Sequence, residues 1–291
     1  MTRWRSAHDA SCRSHRDRAV VDTHQSFKRA TWRDNREVCG SRELAEETAV
    51  AISYNGSTHA VLMATPADLE DLGAGFSVTE GIVAQIDEIE SIDVVSFDTG
   101  LDIQIRVRED IADRLVKRRR SMAGPVGCGM CGLESLDAAS RDVMPVRRLV
   151  VFKPADIIVA IQSIEQHQRL NHATGAAHAA GYFVPGQATS HVREDVGRHN
   201  ALDKVIGALL RSGMPIADGA FAVTSRVSVE LVQKAAVVGC GLLAAISAPT
   251  AFAIRTAIRA NVTVAAVVRG DSFEVFSQSD RISSGAIADV A

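Results

Sequence analysis

Residues 221–268 read FAVTSRVSVELVQKAAVVGCGLLAAISAPTAFAIRTAIRANVTVAAVV, and the order of pieces in this stretch decides the fold. Three short apolar runs, 221–224 (FAVT), 242–247 (LLAAIS) and 262–268 (VTVAAVV), lack a polar face, as strands buried on both sides do. Between them, 229–238 and 250–260 place apolar residues at helical spacing. Strands that alternate with helices need crossover connections, so this part of the sheet is parallel and covered by helices. The turn Arg269-Gly270-Asp271-Ser272 then returns a last strand, 273–276, as a hairpin.

Upstream, 49–54 and 60–63 flank Asn55-Gly56, a strong two-residue hairpin signal. Pro66 opens a helix through Leu69, Leu72 and Phe76, with Asp68, Glu70 and Asp71 in its first turns. Strands at 92–97 and 101–107 follow around Asp98-Thr99-Gly100, then a charged segment ending in Lys117-Arg118-Arg119-Arg120, a glycine-rich loop at 123–127, a short helix at 135–140 and a longer one at 154–170. The first 42 residues carry mixed charge and both tryptophans, Trp4 and Trp32, without hydrophobic periodicity. The expected organisation is a flexible leader (1–42), an N-terminal β-rich subdomain (43–124), an α/β core carrying a cysteine loop (125–279) and a C-terminal tail (280–291), with no internal repeat.

With 291 residues, 46% of them hydrophobic, the chain can bury a substantial core. A net charge of −3 offers no general attraction to nucleic acid or membrane surfaces. No apolar run reaches the roughly 18–20 residues of a membrane span, and the arginine-rich N-terminus has no apolar segment of a secretory signal. A cytoplasmic location is expected. Five cysteines, an odd number, do not form a secreted disulfide framework. Only Cys128 and Cys131 are close in sequence, which in a reducing compartment points to thiol chemistry or metal binding.

Two cysteines three positions apart lie within disulfide reach in a tight turn, and the thiolate is the nucleophile of sulfur chemistry. Gly127, Gly129 and Gly132 open the backbone so that N–H groups can approach sulfur and lower the thiol pKa. Three other readings compete. A structural zinc site needs four ligands, and no second CxxC or Cys/His pair is present at finger spacing. A zinc deaminase needs an upstream H-x-E, which His59-Ala60-Val61 does not supply. A thioredoxin-like enzyme would place the pair just after an early strand of a small domain, not after some eighty residues of β-rich structure.

The block Cys128-Gly129-Met130-Cys131-Gly132 with Glu134-Ser135-Leu136 resembles the central motif of the FdhD/NarQ family of formate dehydrogenase accessory sulfurtransferases. Further blocks agree in order: Leu44-Ala45-Glu46-Glu47, Met63-Ala64-Thr65-Pro66 with Gly75-Phe76 and Glu80-Gly81, Thr174-Gly175-Ala176-Ala177-His178, the long run from Arg193 to Lys204, Arg226-Val227-Ser228 with Glu230-Leu231-Val232-Gln233-Lys234, and Ser247-Ala248-Pro249-Thr250. The resemblance covers about 42–278. It implies a cytoplasmic homodimer with a cytidine-deaminase-like, three-layer α/β (α+β) core around a mixed, partly parallel sheet. It also implies a sulfurtransferase that takes persulfide sulfur from a cysteine desulfurase and passes it to the molybdenum bis(molybdopterin guanine dinucleotide) cofactor, bound as a substrate, on behalf of apo formate dehydrogenase. No permanently bound metal, nucleic acid or membrane partner is implied. By motif position Cys128 would carry the persulfide, Cys131 would assist, and Val267, Val268, Arg269, Gly270, Asp271 and Ser272 would form the cofactor-binding segment. A non-catalytic cofactor-binding chaperone and a structural zinc protein are the alternatives.

The chain departs from the usual family pattern at Gly127, Ala176 and Thr224-Ser225-Arg226, none of which removes a reacting group. Asp195 is expected to cap a helix starting near Gly197, with His199 and Asp203 on one face. Arg198 and His199 are candidates for a phosphate or guanine, and His178 for the same cavity; a capped helix with internal ion pairs and a core histidine are the bland readings. The run 117–120 is a solvated face, or it guides an anionic cofactor or acidic desulfurase surface toward Cys128.

Overall fold

The computed structural model describes residues 22–122, 143–148 and 150–283, and of 116–122 the backbone alone. Its N-terminal part begins with β1 (His24–Arg33) and β2 (Arg36–Ala45), an antiparallel ribbon of two strands. This hairpin lies inside the stretch expected to be a flexible leader, which ordered pairing therefore replaces from His24 onward. Its turn uses Asp34 and Asn35 at φ 50° and 60°, residue types that tolerate the left-handed region and so close a tight two-residue turn. The Asn55-Gly56 turn (φ 46° and 81°) joins β3 (Thr48–Tyr54) to β4 (Ser57–Ala64) as read from the sequence.

Next come α1 (Leu69–Thr79), β5 (Ile89–Phe97), β6 (Gly100–Val107) and α2 (Glu109–Met122). These strands form a four-stranded sheet in the order β4-β3-β6-β5, with β3 and β6 parallel. Two expectations change. Helix α1 starts at Leu69 instead of Pro66 because Asp68 adopts φ 53°, outside the right-handed helical region. The charged segment before the cysteine loop is helical, since Ile111 and Leu115 give it an apolar face against the core that Val50, Ile52, Leu72 and Ile103 build.

The larger part contains α3 (Pro154–His167), α4 (Arg169–Thr174), β7 (His178–Phe183), β8 (Ser190–Asp195), α5 (Arg198–Arg211), β9 (Ala220–Val223), α6 (Val229–Val237), β10 (Leu242–Ala245), α7 (Ala251–Arg259), β11 (Thr263–Arg269) and β12 (Ser272–Ser277). The expected helix over 154–170 is two helices, broken at Gln168 (φ −79°, ψ 66°). The expected helix at 135–140 lies outside the described residues. Six strands order as β12-β11-β10-β9-β7-β8; β9, β10 and β11 run parallel, and β11 returns through β12 as an antiparallel hairpin.

Alternation along these short strands sorts the core into two layers. Ala220, Ala222, Leu242 and Ala244 face α3, while Phe221, Val223, Leu243 and Ala245 face α5, α6 and α7. The result is the expected three-layer α/β arrangement. Small alanines on the α3 side let that helix lie close to the sheet. The first residues of the expected tail also pack: Arg281 is buried and its Nη1 donates to the carbonyls of Gly241 (2.9 Å) and Asn261 (2.7 Å), and Ile282 bridges to Phe152.

Helix α1 lies between the two parts and meets α5 at backbone distance. A Cβ on Gly75 would sit 1.9 Å from the Asp203 carbonyl oxygen, and one on Gly207 would sit 1.8 Å from that of Asp71. Only glycine permits this approach. Around the crossing, Lys234 Nζ donates to Asp203 (2.9 Å), Glu80 (2.7 Å) and Thr79 Oγ1 (2.9 Å), and Arg193 donates to Asp71 (2.8 Å). Burial opposes the charge on Lys234, but the carboxylates of Asp203 and Glu80 outweigh it and raise its pKa. Replacing either Gly75 or Gly207 by alanine must separate the helices, and each change should lower the unfolding free energy by about 3 kcal/mol in urea titrations. Gly40→Ala, with nothing within 4 Å of the new Cβ, should stay within about 0.5 kcal/mol of the parent.

Candidate functional site

The carboxyl ends of β9, β10 and β11 face the same way, and the loops leaving them are stitched together. Val227 N–H donates to the Ala248 carbonyl (3.3 Å), Thr250 N–H to the Val227 carbonyl (3.0 Å) and Ser247 Oγ to the Thr224 carbonyl (3.3 Å). Thr224 Oγ1 accepts the N–H of Ala179 (3.0 Å), which ties the first loop to β7. Helices α5, α6 and α7 all start at this end, so their unpaired N–H groups add positive partial charge where a parallel sheet places ligands.

The segment expected to bind the cofactor forms the turn from β11 to β12 at this end. Arg269 pairs with Ser272 across Gly270 (φ 58°) and Asp271, and Ser272 Oγ donates to the Arg269 carbonyl (3.0 Å). Arg269 Nη1 donates to the carbonyls of Ile246 (2.6 Å) and Val268 (2.7 Å), anchoring the turn to the end of β10. Val268 is buried against α3, and Val267 packs toward the opposite layer. Val267 adopts φ 58°, a costly conformation for a β-branched residue, at a register shift between Ala266 and Arg269. This bulge re-aims the end of β11.

Arg198, His199 and His178 gather on the other flank, at the start of α5 and the start of β7, which runs antiparallel to β9. Arg198 Nε is buried without a partner among the described residues. His199 Nε2 lies 3.1 Å from Ser228 Oγ and 3.5 Å from a Glu230 carboxylate oxygen. That contact holds the Glu230 carboxyl down at about 2, against the opposing effect of burial. Burial lowers the pKa of His178, and the neighbouring Arg198 charge lowers it further, so this ring is neutral at physiological pH. From His178 on β7 to Arg269 on β11 is three strand spacings, roughly 14 Å along the sheet end.

Asp195 is not the helix cap it was expected to be. The cap position is Gly197, whose N–H donates to Asp195 Oδ1 (2.7 Å). Asp195 Oδ1 also accepts Asn200 Nδ2 (3.0 Å), while Oδ2 accepts Thr65 N–H (3.1 Å) and pairs with Lys204 Nζ (2.6 Å), both charges fully buried. This node fixes where α5 begins and hence where Arg198 and His199 stand. His199 and Asp203 serve different partners despite sharing a face, because Asp203 turns to Lys234 and Thr79. Sequence reasoning missed Thr65, Lys204, Ser228 and Glu230 as supports, although all four lie in the blocks that carry the family resemblance. Cys128 and Cys131 lie outside the described residues, as do the side chains of 117–120.

A cavity of about 560 Å3 runs along β8 and is lined in part by His167, Arg169, His191 and Arg193. It contains none of the sequence-predicted site residues, so volume does not mark the site here. Among the described residues no group of three or more His, Cys, Asp or Glu side chains could hold a metal ion, and no helix is long and apolar enough to cross a membrane.

The model of the FdhD/NarQ family matches residues 45–283. The chain belongs to that family. It is 49% identical over 269 residues to the sulfur carrier protein FdhD of Agrobacterium fabrum, covering 90% of this chain and 98% of the relative. The sulfur carrier protein FdhD of Brucella abortus is 52% identical over 243 residues, 83% of this chain and 90% of that one. A crystal structure of a putative formate dehydrogenase accessory protein from Desulfotalea psychrophila superposes with a TM-score of 0.69 at 23% identity, over 90% of this FdhD/NarQ chain and all of the other. That likeness confirms the α/β fold.

The Glu230 carboxyl should titrate near 2 in the native protein. A folded pKa below the ordinary carboxylate value means the contact with His199 is fully present at neutral pH and is lost as pH falls toward that midpoint. In His199→Ala, NMR titration should find Glu230 shifted up toward the ordinary range; an unchanged midpoint would show that His199 is not the cause.

Proposed function

We propose that this chain is a sulfurtransferase that carries sulfur to the molybdenum cofactor of a formate dehydrogenase. The observation that carries this reading is the pair Cys128-Gly129-Met130-Cys131, inside the matched residues of a family whose relatives bear the name sulfur carrier protein. The Cys128 thiolate attacks the terminal sulfur of a cysteine desulfurase persulfide; the donor S–S bond breaks, the desulfurase thiolate leaves and Cys128 holds the persulfide. Release of that sulfur as sulfide, a ligand for molybdenum, needs two electrons. Cys131 supplies them by attacking the inner sulfur of Cys128, which leaves a Cys128–Cys131 disulfide.

The substrate that accepts sulfur is molybdenum bis(molybdopterin guanine dinucleotide), an extended anion. Arg269 and the strained turn at one flank, Arg198 with its unpartnered buried Nε at the other, and three helix starts between them suit a chain of phosphates. The neutral His178 can donate or accept at a guanine edge. The protein works in the cytoplasm as a homodimer.

Incubation with a cysteine desulfurase and cysteine should add the mass of one sulfur atom, and Cys128→Ala should abolish the addition; sulfur loading and full formate dehydrogenase activation by Cys128→Ala would refute the catalytic assignment. A mere cofactor chaperone would instead tolerate serine at both cysteines. Arg269→Ala should weaken binding of a guanine nucleotide, measured by calorimetry, by about tenfold, the loss of one charge-assisted contact.

A further inference from the structure

The β1–β2 ribbon has two chemically different faces. Its register puts Arg29, Arg33, Arg36 and Arg42 on one face with Phe27, Val38 and Leu44, while both strand carboxylates, Glu37 and Glu43, fall on the other. Phe27 is 49% exposed and Val38 56%. The ribbon packs on α4 at its base, where Arg42 Nη2 donates to the Thr174 carbonyl (3.1 Å). A hairpin of two strands with both faces in water is marginal on its own. An arginine face interleaved with apolar side chains calls for a surface that is both apolar and acidic.

The outer face of the four-stranded sheet has that character. Helix α1 covers the inner face, where Val50, Ile52, Leu62, Val94, Ile103 and Ile105 point. Alternation turns Ala49, Ala51, Val61, Met63, Val95 and Phe97 outward, with Val61 63% and Phe97 57% exposed. A sheet face that no described helix covers normally carries polar residues. The charged residues on it are Asp93 and Asp102, with Arg106 at one end. Asp102 Oδ2 accepts Gln104 Nε2 (3.1 Å), but its Oδ1 is buried with no partner among the described residues. That oxygen is already enclosed within the chain, so the acidic character this face offers a docking guanidinium comes from the exposed Asp93 and from the outer oxygen of Asp102.

We propose that the arginine face of the ribbon docks on the outer face of the four-stranded sheet of a second copy of the chain, reciprocally, with Arg33 and Arg36 at the tip meeting Asp93 and Asp102. Both complementary surfaces belong to one sequence, and a two-fold exchange uses each of them once in each direction. The inference rests on the homodimer of the proposed function and names the surfaces that build it.

Sedimentation velocity of the full chain tests it with two variants. One reverses the ribbon (Arg29→Glu, Arg33→Glu, Arg36→Glu) and the other reverses the sheet (Asp93→Arg, Asp102→Arg). Each variant alone should dissociate at least about a hundredfold more readily than the parent. An equimolar mixture should restore the dimer, because acidic ribbons then meet basic sheets and native ribbons meet native sheets. A monomeric parent chain would overturn the homodimer itself. A parent dimer that survives both reversals would overturn only the ribbon-to-sheet docking, as would two dissociated variants that fail to reassociate when mixed.

Discussion

The fold depends on the backbone-to-backbone crossing of α1 and α5. Gly75 and Gly207 bring the two helices close enough that no side chain fits between them, and the charges of Asp71, Asp203, Lys234 and Glu80 close around the contact. Buried ion pairs contribute little net stability compared with apolar packing, yet losing one partner is costly. Such pairs therefore specify one arrangement. They fix how the four-stranded subdomain sits on the three-layer core, and the Asp195–Lys204–Thr65 node extends that constraint to the start of α5.

The same constraint shapes the site. Lys204 and Asp195 are wholly buried, so their position is set by packing, and Arg198 and His199 on the next turn inherit it. Functional side chains stand at the surface while the groups that aim them lie beneath. The other flank uses a different device. Val267 holds an unfavourable backbone angle at a bulge, and Arg269 is fastened to the carbonyl of Ile246, so the turn is presented from a fixed strand end. An anion spanning the flanks would meet two preset contacts separated by the width of the parallel strands.

Much of this was legible in the sequence where periodicity was strong. The run 221–268 states its three parallel strands because each is apolar on both sides and each is followed by a helical repeat. Strand β7, HAAGYF, is rich in alanine and glycine, and β8, SHVRED, is polar; neither has the composition of a strand, and both form because tertiary pairing, of β7 with β9 and of β8 with β7, outweighs propensity. The β1–β2 hairpin escaped notice because its apolar residues do not gather on one face in a simple alternation. At the site, the motif blocks named Arg198, His199 and Arg269 but misjudged Asp195. A carboxylate two residues before a glycine reads as a cap, and nothing local reveals that Lys204 and Thr65 will bury it.

The partners at the junction are far apart along the chain: Thr65 and Asp195 are 130 residues apart, Asp71 and Arg193 122, and Thr79 and Lys234 155. During synthesis the N-terminal subdomain leaves the ribosome long before α5 and α6 exist. Helix α1, buried on nearly every side in the finished molecule, then has one wall only. Its glycine face and its carboxylates wait for about half of the chain to be translated, an interval of several seconds or more at ordinary elongation rates. The nascent protein is thus an obligate late folder, whose first half becomes native only once most of the second has emerged.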